Sequence, residues 1–117
     1  MGDRVLLQVV KGSDFGPVVY GHWCGDRAPD IVRKLAARMA QRPGDMDYTT
    51  ARLVQECTAG DPEGALSFGV WNAPARLAGE DSHGDAGVVL IDCANGFRCE
   101  CLGGYLRTGP DGFPVEG

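Results

Sequence analysis

Alternation of apolar and polar positions sets out most of the chain. Arg4 to Val10 and Pro17 to Trp23 are apolar, β-branched runs on either side of Lys11-Gly-Ser-Asp-Phe-Gly16, a segment rich in turn formers, and this predicts a first hairpin. Side chains alternate along a strand, so Val18, Tyr20 and His22 share one face of the second strand while Val19, Gly21 and Trp23 share the other. After Pro29 the period lengthens. Ile31, Val32, Leu35, Ala36 and Met39 fall on one helical face and Arg33, Lys34, Arg38 and Arg42 on the opposite one, until Pro43-Gly44 ends the helix. Asp45 or Asp47 then caps a second helix over Tyr48 to Ala59, with Thr50, Leu53, Val54 and Cys57 as its buried stripe and Gly60 closing it.

Leu66, Phe68 and Val70 alternate with Ser67, Gly69 and Trp71, which predicts a third strand with one buried face. Residues 72 to 86 carry no period, and a stretch that long is expected to be functional or mobile. The last hairpin is specified by its register. A two-residue Asn95-Gly96 turn would mix polar and apolar residues on each face. A three-residue Ala94-Asn95-Gly96 loop, with Gly96 left-handed, instead pairs Cys93 with Phe97, Ile91 with Cys99 and Val89 with Cys101, and sets Asp92 against Arg98. Beyond about residue 107 two prolines and three glycines predict an irregular tail. The expected fold class is α+β: one domain over residues 1–117, elements in the order ββααβββ, two helices packed on one face of an antiparallel sheet of about five strands.

Length and composition fit that expectation. A chain of 117 residues with 44% hydrophobic and 23% charged residues can bury one sizeable core and is too apolar to be disordered. Charge is uneven: residues 1–60 hold 8 basic and 7 acidic side chains and residues 61–117 hold 3 and 9, so the net charge of -5 arises in the second half. Such a surface repels phosphate backbones, which makes a protein with a basic groove the expected partner in place of nucleic acid. No stretch approaches a membrane span, and a cytoplasmic location is expected.

Candidate chemistry is sparse. Five cysteines, an odd number in a chain with enough apolar residues to fold unaided, are read as thiols. Cys93, Cys99 and Cys101 share the inward face of the last hairpin, but Cys99-Glu-Cys101 has strand spacing where a zinc knuckle needs C-x2-C, so they read as core and no metal or cofactor is expected. In Tyr20-Gly-His22-Trp23-Cys24-Gly25 a thiol stands two residues from an imidazole and just ahead of a helix, the outline of a nucleophile and a base. A small thiol enzyme or metal-binding protein using Cys24 and His22 is therefore the alternative reading. Two acidic turns, Asp61-Pro-Glu63 and Gly79-Glu80-Asp81-Ser-His83-Gly-Asp85, could form a patch that presents carboxylates as a nucleic acid presents phosphates. No nucleotide-binding loop, hydrolase triad or metalloprotease helix is found.

Over most of its length the chain resembles small uncharacterised proteins of bacteriophages and prophages. The resemblance is carried by the opening strand, Val18-Val-Tyr-Gly-His22-Trp23, the first helix, Asp47-Tyr-Thr-Thr-Ala-Arg-Leu53 and Gly84-Asp-Ala-Gly-Val-Val-Leu-Ile91. It implies an accessory or anti-defence protein, of which anti-CRISPR inhibitors are one kind. The function expected is thus a non-enzymatic inhibitor that occupies a basic or nucleic-acid-binding surface of a larger host complex. Asp61, Glu63, Glu80, Asp81 and Asp85 would steer it, and Trp71 or Trp23 would anchor it.

Overall fold

The computed structural model describes residues 3–59 and 67–117. Strands β1 (Val5–Lys11) and β2 (Asp14–Gly21) form the first hairpin, and a 3-10 turn at Gly25–Arg27 leads into helix α1 (Ala28–Arg38) and then α2 (Met46–Ala59). β3 (Phe68–Trp71), β4 (Gly87–Asp92) and β5 (Arg98–Leu102) complete a five-stranded sheet in the spatial order β3-β2-β1-β4-β5. The α+β class and the element order ββααβββ agree with the sequence. The sheet is mixed, however, and not antiparallel, because β4 runs parallel to β1 from Val5↔Gly87 to Val10↔Asp92. Residues 72–86 carry the chain from edge strand β3 back to the end of the sheet where β1 begins, and a strand that starts there must run alongside β1 in the same direction.

Central strand β1 is buried on both sides. Val5, Leu7 and Val9 face Ile31, Val32 and Leu35 of α1 and Leu53 and Cys57 of α2 in the larger core. Leu6 and Val10 face the other way, with Val18, Val88 and Leu90, and residues Ala73 and Leu77 of the 72–86 segment pack over them. Each fully buried aliphatic side chain contributes about 1.5–3 kcal/mol, so both layers hold the sheet. Asp45 is the cap of α2, its Oδ1 accepting from the Tyr48 N–H at 3.0 Å. The buried stripe of α2 is Thr49, Leu53 and Cys57, with Thr49 in place of the expected Thr50. Thr49 Oγ1 donates to the Asp45 carbonyl at 2.6 Å and so buries its hydroxyl with a partner. Gly60, expected to close the helix, and Leu66 lie outside the described residues.

β3 departs from its predicted pattern. Val70 is 53% exposed, because at the sheet edge the helical layer no longer covers that face. The final hairpin has the predicted register, Val89↔Cys101, Ile91↔Cys99 and Asp92↔Arg98, but the expected Cys93–Phe97 pair and three-residue loop are replaced by a turn over residues 93–97, in which Gly96 (φ 69°) and Phe97 (φ 61°) are both left-handed. The tail is not irregular. β6 (Leu106–Thr108) and β7 (Pro114–Glu116) pair into a small separate sheet, Leu106 is buried, and the Cys99 N–H donates to the Gly112 carbonyl at 2.7 Å, so the tail closes the outer edge of β5.

Candidate functional site

Five rings meet where β2 leaves the sheet. Tyr20 and His22 project from the same face of the chain, and the Tyr20 hydroxyl shares a 2.7 Å hydrogen bond with His22 Nδ1. Strand pairing sets Trp71 opposite Val18, on that face too, and brings its ring to 5.7 Å from Tyr20. From the 72–86 segment His83 reaches back, 5.5 Å from Tyr20 and 6.4 Å from Trp71 at an interplanar angle of 16°. Trp23 meets His22 edge-on at 4.8 Å. Such offset and tilted arrangements are the favourable ones for aromatic pairs. Trp23 and Trp71 stay 51% and 42% exposed, a large apolar area held in fixed orientation at the surface.

Beside the rings, Arg4 binds Asp85 twice, Nε at 2.9 Å and the backbone N–H at 3.1 Å, both to Oδ2. Asp85 holds a φ of 58° between Gly84 and Ala86, and its carbonyl accepts from the Tyr105 N–H. A residue selected on sequence for steering is therefore a tether for the start of β1. The Arg4 guanidinium, then the Arg4 N–H, hold its carboxyl below the ordinary aspartate range. The contribution of a lowered carboxyl is complete above the unfolded aspartate value of about 3.9 and disappears as pH falls through the folded value. Asparagine keeps the left-handed backbone at ease, so thermal melts of Asp85→Asn and wild type are expected to differ most near neutrality and converge in strong acid. Curves that stay parallel through the acid limb would remove the Arg4–Asp85 tether from the account.

Glu80 and Asp81 lie exposed on a short 3-10 turn, Gly79–Asp81, where Asp81 Oδ2 accepts from the Ala78 N–H at 2.8 Å. Asp61 and Glu63 lie outside the described residues, and with them the expected joining of two acidic turns. Both tryptophans expected as anchors belong to one ring cluster. Tyr20 and His83 were not selected as contact residues, although the shared face of Tyr20 and His22 follows from strand alternation.

The proposed thiol and base have different neighbours. Cys24 is fully buried in the larger core, as is Cys57, whereas His22 points to the Tyr20 hydroxyl. No hydrogen bond joins His22 to Cys24 among the described residues. The neighbouring Cys57 thiol holds Cys24 below its usual range, and Cys24, with burial, pushes Cys57 well above it. Burial raises Cys93, Cys99 and Cys101 as well. Among the described residues no three His, Cys, Asp or Glu side chains converge as a metal site would require. No helix among them is long and apolar enough to cross a membrane.

Compared with known proteins, the chain matches no family model, no curated protein and no solved structure.

Proposed function

We propose that the chain is a non-enzymatic protein-binding module whose contact surface is the cluster of Tyr20, His22, Trp23, Trp71 and His83. The observation that carries this reading is the pair of half-exposed tryptophans locked by ring contacts against a rigid sheet. Tryptophan dominates interface energies, and a ring fixed before binding loses little conformational entropy on contact. Glu80 and Asp81 supply exposed carboxylates on the same loop as His83 and suit a partner with a basic surface. The narrower form of the proposal is an inhibitor of phage or mobile-element type, such as an anti-CRISPR protein, occupying a basic or nucleic-acid-binding surface of a host defence complex. It draws on the acidic second half and on the resemblance of the sequence.

Capture from bacterial lysate, followed by kinetics on the purified pair, tests the reading. Trp23→Ala with Trp71→Ala is expected to weaken association by one to two orders of magnitude, while changing stability by no more than about 1 kcal/mol. Glu80→Gln with Asp81→Asn should slow the on-rate about tenfold at low salt and leave the off-rate alone. Added salt should then slow the wild type toward that variant as charges become screened beyond about 10 Å. Full affinity in the double tryptophan variant would remove the surface from consideration. Loss of function in a folded Cys24→Ser, beside an unaffected tryptophan variant, would favour the thiol enzyme instead.

A further inference from the structure

The turn between β4 and β5 is anchored at both ends and open between them. Cys93 donates its N–H to the Val10 carbonyl at 3.1 Å and accepts from the Gly44 N–H at 2.9 Å, and Phe97 is buried. Ala94, Asn95 and Gly96 between these anchors are all exposed. Asn95 is engaged through its backbone alone, its N–H donating to the Asp92 carbonyl and its carbonyl accepting from the Arg98 N–H, each at 3.4 Å. Asp92 Oδ1 accepts from the Ala94 N–H at 3.0 Å, but among the described residues neither the Asn95 carboxamide nor the Gly96 N–H has a hydrogen-bond partner. Gly96 has no β-carbon, and nothing lies within 4 Å of where one would stand. An unengaged amide nitrogen therefore follows directly on an unengaged carboxamide. The other asparagine of the chain, Asn72, differs: it is followed by Ala73, whose β-carbon packs against the sheet.

We infer that Asn95-Gly96 is a self-modification site, at which the folded protein converts Asn95 to isoaspartate and aspartate through a cyclic imide. Hydroxide takes the Gly96 amide proton, the nitrogen attacks Asn95 Cγ, and the new C–N bond closes the ring while the carboxamide nitrogen, protonated by water, leaves as ammonia. Water then opens the imide. Addition at Cγ restores the ordinary backbone with an aspartate, and addition at the α-carbonyl carbon routes the main chain through Cβ as isoaspartate. One water is consumed and one ammonia released, with no oxidation or reduction. A glycine after the asparagine admits this attack because no side chain crowds the nitrogen and its dihedral angles are free to follow the ring closure. The longer main chain of isoaspartate is taken up by the exposed residues between Cys93 and Phe97, so the product stays folded and carries a new carboxylate near Asp92. Because β4 runs parallel to β1, this turn follows the end of the sheet at Val10↔Asp92, whereas Tyr20 pairs with Leu6 near the other end. The conversion thus records the age of the molecule independently of what the ring cluster binds.

The test incubates the full-length protein in warm buffer at neutral and at mildly alkaline pH, with a parallel sample in urea, and follows the peptides by mass spectrometry, using electron-transfer fragmentation to tell isoaspartate from aspartate. The peptide that holds Asn95 is expected to gain the mass of an amide-to-acid exchange, faster at the higher pH and in the folded chain within an order of magnitude of its rate in urea, while Asn72 stays intact. Gly96→Ala should slow the conversion at least tenfold in the folded chain and in urea alike, since a β-carbon now crowds the nitrogen. An intact Asn95 in the folded protein beside conversion in urea, conversion of Asn72 ahead of Asn95, or a rate unchanged by Gly96→Ala would each overturn the inference. The comparison of Asn95 with Asn72 in the wild-type protein decides the matter even where the alanine variant folds poorly.

Discussion

Replacing Gly87 by alanine is expected to cost at least about 3 kcal/mol, enough to deplete the folded state of a domain this size. Gly87 opens β4 with φ at 94°, where a β-carbon is strained whatever the surroundings. Here the surroundings are backbone. A β-carbon would run into the Leu102 carbonyl oxygen and into Gly104 N and Cα, none of which can rotate away as a side-chain end could. Relief would require β4 and β5 to separate at Val88↔Leu102, the end of the sheet where Ala86 also accepts from Leu106. Gly96 provides the comparison. Its φ of 69° is similarly left-handed, but nothing lies within 4 Å of an added β-carbon, so Gly96→Ala carries strain alone and should cost about 1 kcal/mol. Urea titration of both variants measures the difference. A Gly87→Ala loss no greater than that of Gly96→Ala would show that the β4–β5 junction yields, and the collision argument would fail.

What the sequence discloses depends on whether an element's partners are local. The register of the last hairpin was legible because Val89, Ile91, Cys99 and Cys101 sort onto one face only in the pairing that the structure shows, whereas its turn, residues 93–97, is longer than the three residues expected. The stripe of α1 was legible for the same reason. Strand direction was not, since alternation is the same read forward or backward, and the parallel pairing of β1 with β4 depends on the route taken by residues 72–86. β6 and β7 are three residues each and begin or end beside Pro and Gly, too short for any period to register. The site divides in the same way. Tyr20 and His22 share a face by local alternation, but Trp71 joins them through a pairing between strands and His83 through an aperiodic loop. Asp85 looked free because its partner, Arg4, lies 81 positions away.

A buried amide also connects that loop to the sheet, and removing it should have the second large effect. Gln8 lies in the middle of β1 at 0% exposure, among Leu6, Val10, Val18 and Leu90, where a polar side chain is tolerated only if it is fully bonded. Its Nε2 donates to the Gly16 carbonyl at 2.9 Å and its Oε1 accepts from the Leu77 N–H at 2.8 Å. The first bond serves a carbonyl beside a bulge: pairing shifts between Gln8↔Val18 and Val10↔Phe15, next to Pro17, which has no N–H of its own. The second fastens the backbone of the segment that carries His83 to the ring cluster. Gln8→Leu keeps nearly the same volume and adds apolar burial, yet it leaves a buried acceptor and a part-buried donor without partners. At about 1–3 kcal/mol for each orphaned group, offset in part by the leucine, the expected loss is about 2–4 kcal/mol. Local consequences should exceed global ones. The Leu77 amide should exchange with solvent faster by more than the overall destabilisation explains, and the ring contact between His83 and Trp71 should weaken in nuclear Overhauser spectra, while the core beneath α1 keeps its protection. If Gln8→Leu instead unfolds within about 0.5 kcal/mol of wild type and Leu77 stays protected, the loop is held by its other contacts, the packing of Ala73 and Leu77 and the Arg4–Asp85 pair. Otherwise, one amide inside an apolar sheet face helps to orient His83 against Trp71 from one end of the loop, as the Arg4–Asp85 pair does from the other, and partner association should fall with its removal even though Gln8 touches no partner.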